Sequence, residues 1–376
     1  MAVKTKKVKS GATKTPKNTP KSTIGSKTTP KLKFFDRNHV PDTISRFLDG
    51  KNLVPAALRG TDRFLDIVSW NIRWFDHQDP RRITEIRKVL KQINGDVLVL
   101  VEIAEDGALD EVAAGLAKDK TGYYSTHYGT TGEQQRVVLM WDRDWVRAKK
   151  KPIELFPDNP MVEAEGGRKA EVFPRRPLWG YFEALSDEPN KEGFTFELVG
   201  VHLKSQMPPR GFKGTGGIAQ RTDAAARLAT WLETPDEHFD EDVLIIGDFN
   251  AAPEAREWDP FRALESSEKI DFESINAKQP ADGERNVTHI ARLNKSGFGG
   301  SRLDYQIITN TEEAQNCARE KAVVIRWSFE EQLKTLKTAD RELLMKAMKM
   351  NFSDHLPVVS RFYFTSPAIA DKEAEE

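Results

Sequence analysis

The sequence predicts an α/β protein built of packed layers, and three observations carry that prediction. Short aliphatic runs rich in β-branched residues, FLDIVSW (64–70), DVLVLV (96–101) and VLIIGD (243–248), read as strands buried on both faces. Segments of helical periodicity alternate with these runs, which argues for layers rather than for separate helical and strand halves. Several of the strands also stop abruptly at a polar residue, so hydrophilic side chains collect at the strand mouths. At 376 residues, 38% hydrophobic and 31% charged, the chain is long enough to bury a sizeable core in one large domain.

In chain order, residues 1–40 hold ten Lys and one Arg against one Asp, so they carry +10 and leave the other 336 residues at −11 of a net −1. Rich in Thr, Pro, Ser and Gly, residues 1–31 cannot form a core and are expected to be a disordered basic tail. A mobile polycation seeks polyanions, nucleic acid before an anionic membrane surface, although such a run can also serve only to solubilise. Residues 32–61 form an N-terminal extension whose scattered apolar residues suit a short helix on the domain edge. Phe64–Trp70 is then a strand ending at Asn71, followed by Arg73, Trp74 and Phe75.

Pro80–Asn94 has Ile83, Ile86, Val89, Leu90 and Ile93 at helical spacing, with Pro at its start and Asn94-Gly95 at its close. Asp96–Val101 is the next buried strand and delivers Glu102, a carboxylate that needs a partner or a metal in such a place. Leu109–Lys118 reads as a second helix. Tyr123–Tyr128 and Arg136–Trp141 read as an antiparallel pair, and so do Pro174–Leu185 and Phe194–Val201, the last delivering His202, Lys204 and Ser205. A glycine-rich loop with two cations (207–217) precedes a helix over Ile218–Leu232.

In Val243–Asn250, Asp248 and Asn250 are two apart and project to one side of an extended backbone, with Phe249 on the other. Asp and Asn also close turns for purely local reasons, so the pair alone decides nothing. Downstream the pattern predicts a helix over Glu257–Phe272 and strands over Asn286–Ala291 and Arg302–Thr309, with Asp304 inside the latter. Thr311–Asn351 is charged and helix-prone and reads as an excursion between two strands, a place for a protein partner or a DNA-gripping arm. The polar turn FSDHLP leads to an edge strand, VVSRFYF, and residues 366–376 end the chain as an acidic tail.

Composition excludes some classes. Cys317 is the only cysteine, so internal disulfides and thiolate metal clusters are out, which fits a reducing compartment. No apolar run approaches the ~20 residues that cross a bilayer, and the N-terminus lacks the apolar core of a secretory signal. The expectation is a cytoplasmic protein, or a nuclear one in a eukaryote, where KTKKVK would serve as an address.

Asn71, Glu102, His202, Asp248, Asn250, Asp304, Asp354 and His355 all stand at strand ends or in the closing turn. Each alone has an ordinary structural reading. Together, several carboxylates with no thiolate make a hard, oxygen-rich site that prefers Mg²⁺ or Mn²⁺ to zinc. The two histidines supply acid, base or phosphate contact near neutral pH.

The segments SWNIRWF, LVLVEI, GVHLKS, IIGDFNAAPE, SRLDYQII and FSDHLPV, in that order from Phe64 to about Phe364, resemble the endonuclease/exonuclease/phosphatase superfamily, which includes deoxyribonuclease I. The resemblance implies a four-layered α/β sandwich over residues 62–365, two mostly antiparallel sheets packed face to face with helices outside, and a site at one end of the strands. It also implies roles. Glu102 would be the main metal carboxylate, with Asn71 and Asp354 beside it. Asp248 would orient or deprotonate the attacking water, and Asn250 would hold it and a phosphate oxygen. His202 would contact the scissile phosphate, and His355, paired with Asp304, would be the second histidine. Arg176 resembles the family's arginine facing the site, and Tyr128 or His127 stands where some members place another catalytic group.

The substrate reading starts from the cationic tail, from Lys204 and the cations after it, and from Trp74, on which a base could stack. It favours a metal-dependent endonuclease acting on DNA, or else RNA. A phosphoinositide- or sphingolipid-hydrolysing enzyme on the same scaffold is the alternative, and an inactive nucleic-acid-binding protein is the alternative of another class.

Overall fold

The computed structural model describes residues 35, 40–117, 124–185, 193–208, 213–271 and 287–365. The basic tail (1–31), the acidic tail (366–376), residues 209–212 of the glycine-rich loop, Lys118, Tyr123, Phe272 and Asn286 lie outside the described residues. In chain order the strands are β1 (Leu65–Phe75), β2 (Val97–Ile103), β3 (Tyr124–Tyr128), β4 (Arg136–Asp142), β5 (Val146–Ala148), β6 (Ile153–Glu154), β7 (Met161–Ala164), β8 (Arg168–Glu171), β9 (Leu178–Ala184), β10 (Thr195–His202), β11 (Val243–Asp248), β12 (Ile270–Asp271), β13 (His289–Leu293), β14 (Phe298–Ser301), β15 (Asp304–Thr309), β16 (Ala318–Val324) and β17 (Val358–Phe362). The longer helices are α1 (Pro80–Ile93), α2 (Asp110–Ala117), α3 (Ile218–Leu232), α4 (Asp259–Ser266), α5 (Glu312–Cys317) and α6 (Thr338–Asn351).

One large sheet runs β16-β17-β1-β2-β4-β3 and the other β12-β15-β11-β10-β9-β5, with β6 also on β9. Each is antiparallel except at its centre, where β1 pairs with β2 and β10 with β11 in parallel. A parallel pair needs a helical crossover, and α1 and α3 supply the two. The sheets pack face to face, with β1 and β2 against β10 and β11. Side-chain alternation divides the second sheet's residues between two cores. Leu198, Leu244 and Ile246 fill the space between the sheets, while Val199, Val201, Val243 and Ile245 pack under α3 and α4. Both faces are covered, which is why these strands read as unbroken apolar runs.

Local chemistry explains the elements that were predicted well. The Asp79 side chain caps α1 by accepting from Arg81 N, Pro80 opens the helix, and Asn94 closes it in the left-handed region at φ 48°. Its buried stripe is Ile83, Ile86, Val89, Leu90 and Ile93. The tight register of β10 on β11 requires Gly247, whose φ is 140° and where a Cβ would lie 2.1 Å from Val201 O.

Five expectations are corrected. β1 does not stop at Trp70 but continues to Phe75, through Arg73 and Trp74 at φ 45° and 48°. The helix expected over 257–272 is a short turn, Arg256–Trp258, followed by α4, which ends at Ser266, and buried Ile270 then joins the sheet edge in β12. Residues 311–351 are not a helical excursion, because β16 forms the outer strand of the first sheet and α6 buries Leu344, Ala347 and Met348 in the central core. VVSRF is not an edge strand: β17 lies between β16 and β1. Its polar residues suggested solvent, yet Ser360 meets Gln306 and Ala322 N, and Arg361 Nε donates to buried Asp66 at 2.9 Å. The extension before Phe64 also sits deeper than the domain edge, since Ile44, Phe47, Leu48, Leu53 and Val54 belong to the same core.

Among the described residues, no helix is long and apolar enough to cross a membrane.

Candidate active site

The register of the second sheet brings three site residues side by side. Asp248 is the last residue of β11, opposite His202 of β10 on one side and Asp304 of β15 on the other. All three are deeply buried, at 2%, 2% and 1% exposure. The facing sheet contributes Asn71, whose Nδ2 donates to Glu102 Oε1 and to Asp248 Oδ2, both at 3.1 Å. One amide therefore links a carboxylate from each sheet.

The turn before β17 docks onto the end of β1. Ser353 Oγ donates to Asn71 O at 2.6 Å and accepts from His355 N at 2.9 Å, while Trp70 Nε1 donates to His355 O at 3.0 Å. These bonds fix the imidazole so that His355 Nδ1 lies 2.8 Å from Asp304 Oδ2. One donor atom from each of Asp248, Asp304 and His355 falls within 4.8 Å of the others. Asn250 completes the turn, its N donating to Asp248 Oδ1 at 2.9 Å and its Nδ2 to Leu203 O at 3.2 Å.

Backbone strain gathers at the same place. Arg73, Trp74, Glu102 and Asn250 all have positive φ, at 45°, 48°, 62° and 53°. Such conformations cost energy and persist only where the surroundings enforce them. Arg82 provides the enforcement for β1: its buried guanidinium donates to the carbonyls of Ile72, Arg73, Trp74 and Phe352 at 2.6, 2.6, 3.0 and 3.1 Å. The kink it holds turns Trp74 N towards Glu102 Oε2, at 3.2 Å. Trp74 itself is half-buried.

Burial and the charge of Asp304 raise the Asp248 carboxyl from its ordinary 3.8 to about 7, against the opposing pull of His355 and Asn71. Burial disfavours the charged form of His355, but Asp304 outweighs it, and the imidazole is pushed up to about 10. His202 goes the other way. Desolvation, with Arg175 and His355 nearby, holds it well below the ordinary histidine value, so its ring is neutral, with Nε2 3.8 Å from Asp248 Oδ2.

The structure thus brings Asn71, Glu102, His202, Asp248, Asn250, Asp304 and His355 together. Asp354 is turned elsewhere: its Oδ2 faces Arg73 Nη1 at 3.6 Å, Lys349 Nζ at 3.5 Å and His289 Nε2 at 3.9 Å. Lys204 is half-buried, with Nζ 3.5 Å from Ser205 O, and burial together with Arg175 and Arg221 lowers its pKa. Tyr128 donates to Asp110 Oδ1 at 2.8 Å, and His127 lies beside it on β3. Arg176 pairs with Glu154 at 2.7 Å rather than with any of these residues.

Its neighbour Arg175 is the arginine in the site. That guanidinium is buried, donates to His202 O at 2.9 Å and to Leu203 O, and feels the charges of Asp248 and Glu102. The resemblance pointed to Arg176, and nothing local to the RR pair separates it from Arg175. Arg82 was also passed over, its only signal an arginine in the first turn of a well-predicted helix. His289 was missed too. An antiparallel bridge to His355 sets the two rings 4.8 Å apart.

The donor set fits a hard divalent cation. Asp248, Asp304 and His355 place one ligand atom each within 4.8 Å of one another, and Glu102 Oε1 is joined to Asp248 Oδ2 through Asn71 Nδ2, which donates to both. The set is one of carboxylate oxygens and an imidazole, with no thiolate among them. Asp354, with Arg73 and Lys349 already at its oxygen, is the least suited of the expected ligands.

A layered α/β sandwich whose two parallel strand pairs deliver a buried carboxylate–histidine cluster to one end defines the class of protein. The chain belongs to the Endonuclease/Exonuclease/phosphatase family, whose model matches residues 68–355 and whose members are typically phosphoester hydrolases that use a divalent metal. A D. rerio TDP2 structure, complexed with single strand DNA product, is 14% identical with a TM-score of 0.50, and the match covers 80% of this chain and 99% of that one. The human Nocturnin catalytic domain with bound sulfate anion is 15% identical at TM-score 0.49, over 83% and 100%. A family protein from Bacteroides thetaiotaomicron is 16% identical at TM-score 0.49, over 80% and 98%. At 14% identity the likeness to the D. rerio structure is one of fold. No curated protein matches the chain.

Proposed function

We propose that this protein is a Mg²⁺-dependent phosphodiesterase that cleaves internal bonds of a polynucleotide, DNA before RNA, by in-line attack of water on phosphorus. The observation that carries the proposal is Asp248, a buried carboxylate raised to about 7 between Asn71, His202 and the Asp304–His355 pair. A base is most effective when its pKa lies near the working pH, and this one does. Asp248 takes the proton of the attacking water, and Asn250, held by Asp248, positions that water against the phosphate. His355, kept charged by Asp304, donates to a phosphoryl oxygen, and neutral His202 offers a second contact there. Glu102 and Asn71 would hold Mg²⁺ or Mn²⁺, which offsets the charge that develops on phosphorus. Arg175 keeps the His202–Leu203 backbone in place, and Trp74 offers a ring on which a base can stack.

The cationic tail supports nucleic acid as the substrate, since it opposes a body at −11. A phosphoinositide or sphingolipid head group is the second reading, because the same cluster serves any phosphoester. Purified protein should nick supercoiled plasmid with Mg²⁺ and not with EDTA, while releasing no phosphate from a phosphoinositide. The opposite pattern would transfer the proposal to the lipid class. Binding of plasmid without cleavage in Mg²⁺ or Mn²⁺ would leave an inactive nucleic-acid-binding protein.

The charge states predict a bell-shaped pH profile. Asp248 must lose its proton to act, so kcat/KM rises with pH through about 7, and it falls again as His355 loses its own through about 10. Asp304 raises both values. Asp304→Asn should therefore move both limbs to lower pH, the alkaline limb by more. An alkaline limb that stays where it was would remove His355 from its assigned role.

A further inference from the structure

We infer that the groove between the β13–β14 hairpin and α6 is the track for a single polynucleotide strand leaving the catalytic centre. The inference rests on the proposed function and extends it to the path of the substrate. The groove is a cavity of about 420 Å³, with Arg292, Asn294 and Lys295 on the hairpin side and Thr338, Glu342 and Met345 on the helix side. That volume suits one nucleotide-sized unit and not a duplex.

Charge and continuity select the occupant. Arg292 and Lys295 are exposed, and among the described residues neither has an ionic or hydrogen-bonded partner. Arg341 is spent internally, its guanidinium on the carbonyls of Leu333 and Leu336 and on Thr338 Oγ1. Glu342 is the single carboxylate in the wall. Two unopposed cations on a body of net −11 mark a local place for a polyanion. Buried Leu293 and Met345 give the groove an apolar floor against which a base can lie.

Both walls also lead back to the site. β13 starts at His289, whose ring lies 4.8 Å from that of His355, and runs to Leu293 at the groove. α6 starts at Thr338 in the groove and carries Lys349 in its last turn, with Nζ 3.5 Å from Asp354 Oδ2. At 1.5 Å per residue, Thr338 to Lys349 spans about 16 Å, the length of several nucleotides. Arg73 and Lys349, both partly exposed beside Asp354, stand where the strand would pass from the cluster into the groove.

The test is binding without turnover. Fluorescein-labelled dodecathymidylate is titrated with the full-length protein in EDTA at several salt concentrations and followed by anisotropy. For a single strand each phosphate neutralised contributes about 0.7 to the slope of log K against log salt, so Arg292→Ala/Lys295→Ala should make the slope shallower by about 1.4. Glu342→Gln should tighten binding at low salt, an effect that general damage to the fold would not produce. A double variant with the slope of the unaltered protein overturns the inference, and so does an unaltered protein that does not bind the strand. The outcome is separate from cleavage: Mg²⁺-dependent nicking without the change in slope leaves the proposed function standing and removes the track, and the converse leaves a binding groove without the nuclease.

Discussion

Asp248→Asn should lower kcat/KM on a polynucleotide by about 10²–10⁴-fold, the range supplied by a positioned general base, and the folded state should lose no stability. The substitution keeps the shape of the side chain, and its single oxygen accepts from either Asn71 Nδ2 or Asn250 N; the one hydrogen bond lost at the other donor is outweighed by removal of the buried charge. What goes is a charge in the worst place for one. The carboxylate is 2% exposed, and burial and the charge of Asp304 raise its pKa to about 7. A group whose folded pKa is raised above its unfolded value favours folding only while protonated, so this acid weighs against the fold as pH rises through about 7. Removing it should raise Tm at pH 8 and raise it less at pH 5, because the penalty grows between the ordinary value of 3.8 and about 7. Activity lost with Tm raised at pH 8 is the signature of a strained functional group. A variant with full activity would show that water is activated elsewhere, and a variant with Tm lowered at both pH values would show that Asp248 is structural.

Gly247→Ala should cost about 3–5 kcal/mol of stability, enough to consume much of a typical margin. Two costs coincide at this position. The φ of 140° is one that L side chains rarely adopt, and the new Cβ would lie 2.1 Å from Val201 O, an atom of the neighbouring strand's backbone that no rotamer change can move. Relief requires β10 and β11 to separate where they are paired, Val201 on Gly247 and His202 on Asp248. The same shift would pull His202 away from Asp248, so whatever fraction folds should also be impaired. Urea denaturation followed by circular dichroism measures the first effect and kcat/KM at a permissive temperature the second. A midpoint close to that of the parent would mean that the strand pair tolerates a separation its hydrogen bonds argue against.

The parts of this protein that were legible in the sequence are those where a short-range rule is decisive. Helix α1 follows from a proline, an apolar stripe and a closing Asn-Gly, all within sixteen residues of one another. VLIIGD reads as a doubly buried strand because β-branched residues occupy both of its faces. Asn71, Glu102, His202 and Asp248 announced themselves as polar residues ending such strands, and the order of the motifs then implied the sandwich. The misread elements depend on partners distant in the chain. β17 looked like an edge strand because Ser360 and Arg361 are polar, and only Gln306 and Asp66 show why they can be buried. β16 lay hidden in a charged stretch because its buried side needs the rest of the sheet to define it.

The chain by itself determined the alternation of strands and helices, the mouths at which polar groups gather and a donor set of hard oxygens and imidazoles, since each of these follows from a residue and its near neighbours. Tertiary structure decided the rest: that Asp248 lies between His202 and Asp304, that Arg175 rather than Arg176 enters the site, that Asp354 faces Arg73 and Lys349, and how far burial displaces each pKa. Those outcomes depend on strand register and on solvent exclusion, and both are properties of the packed sheets that no local stretch of sequence contains.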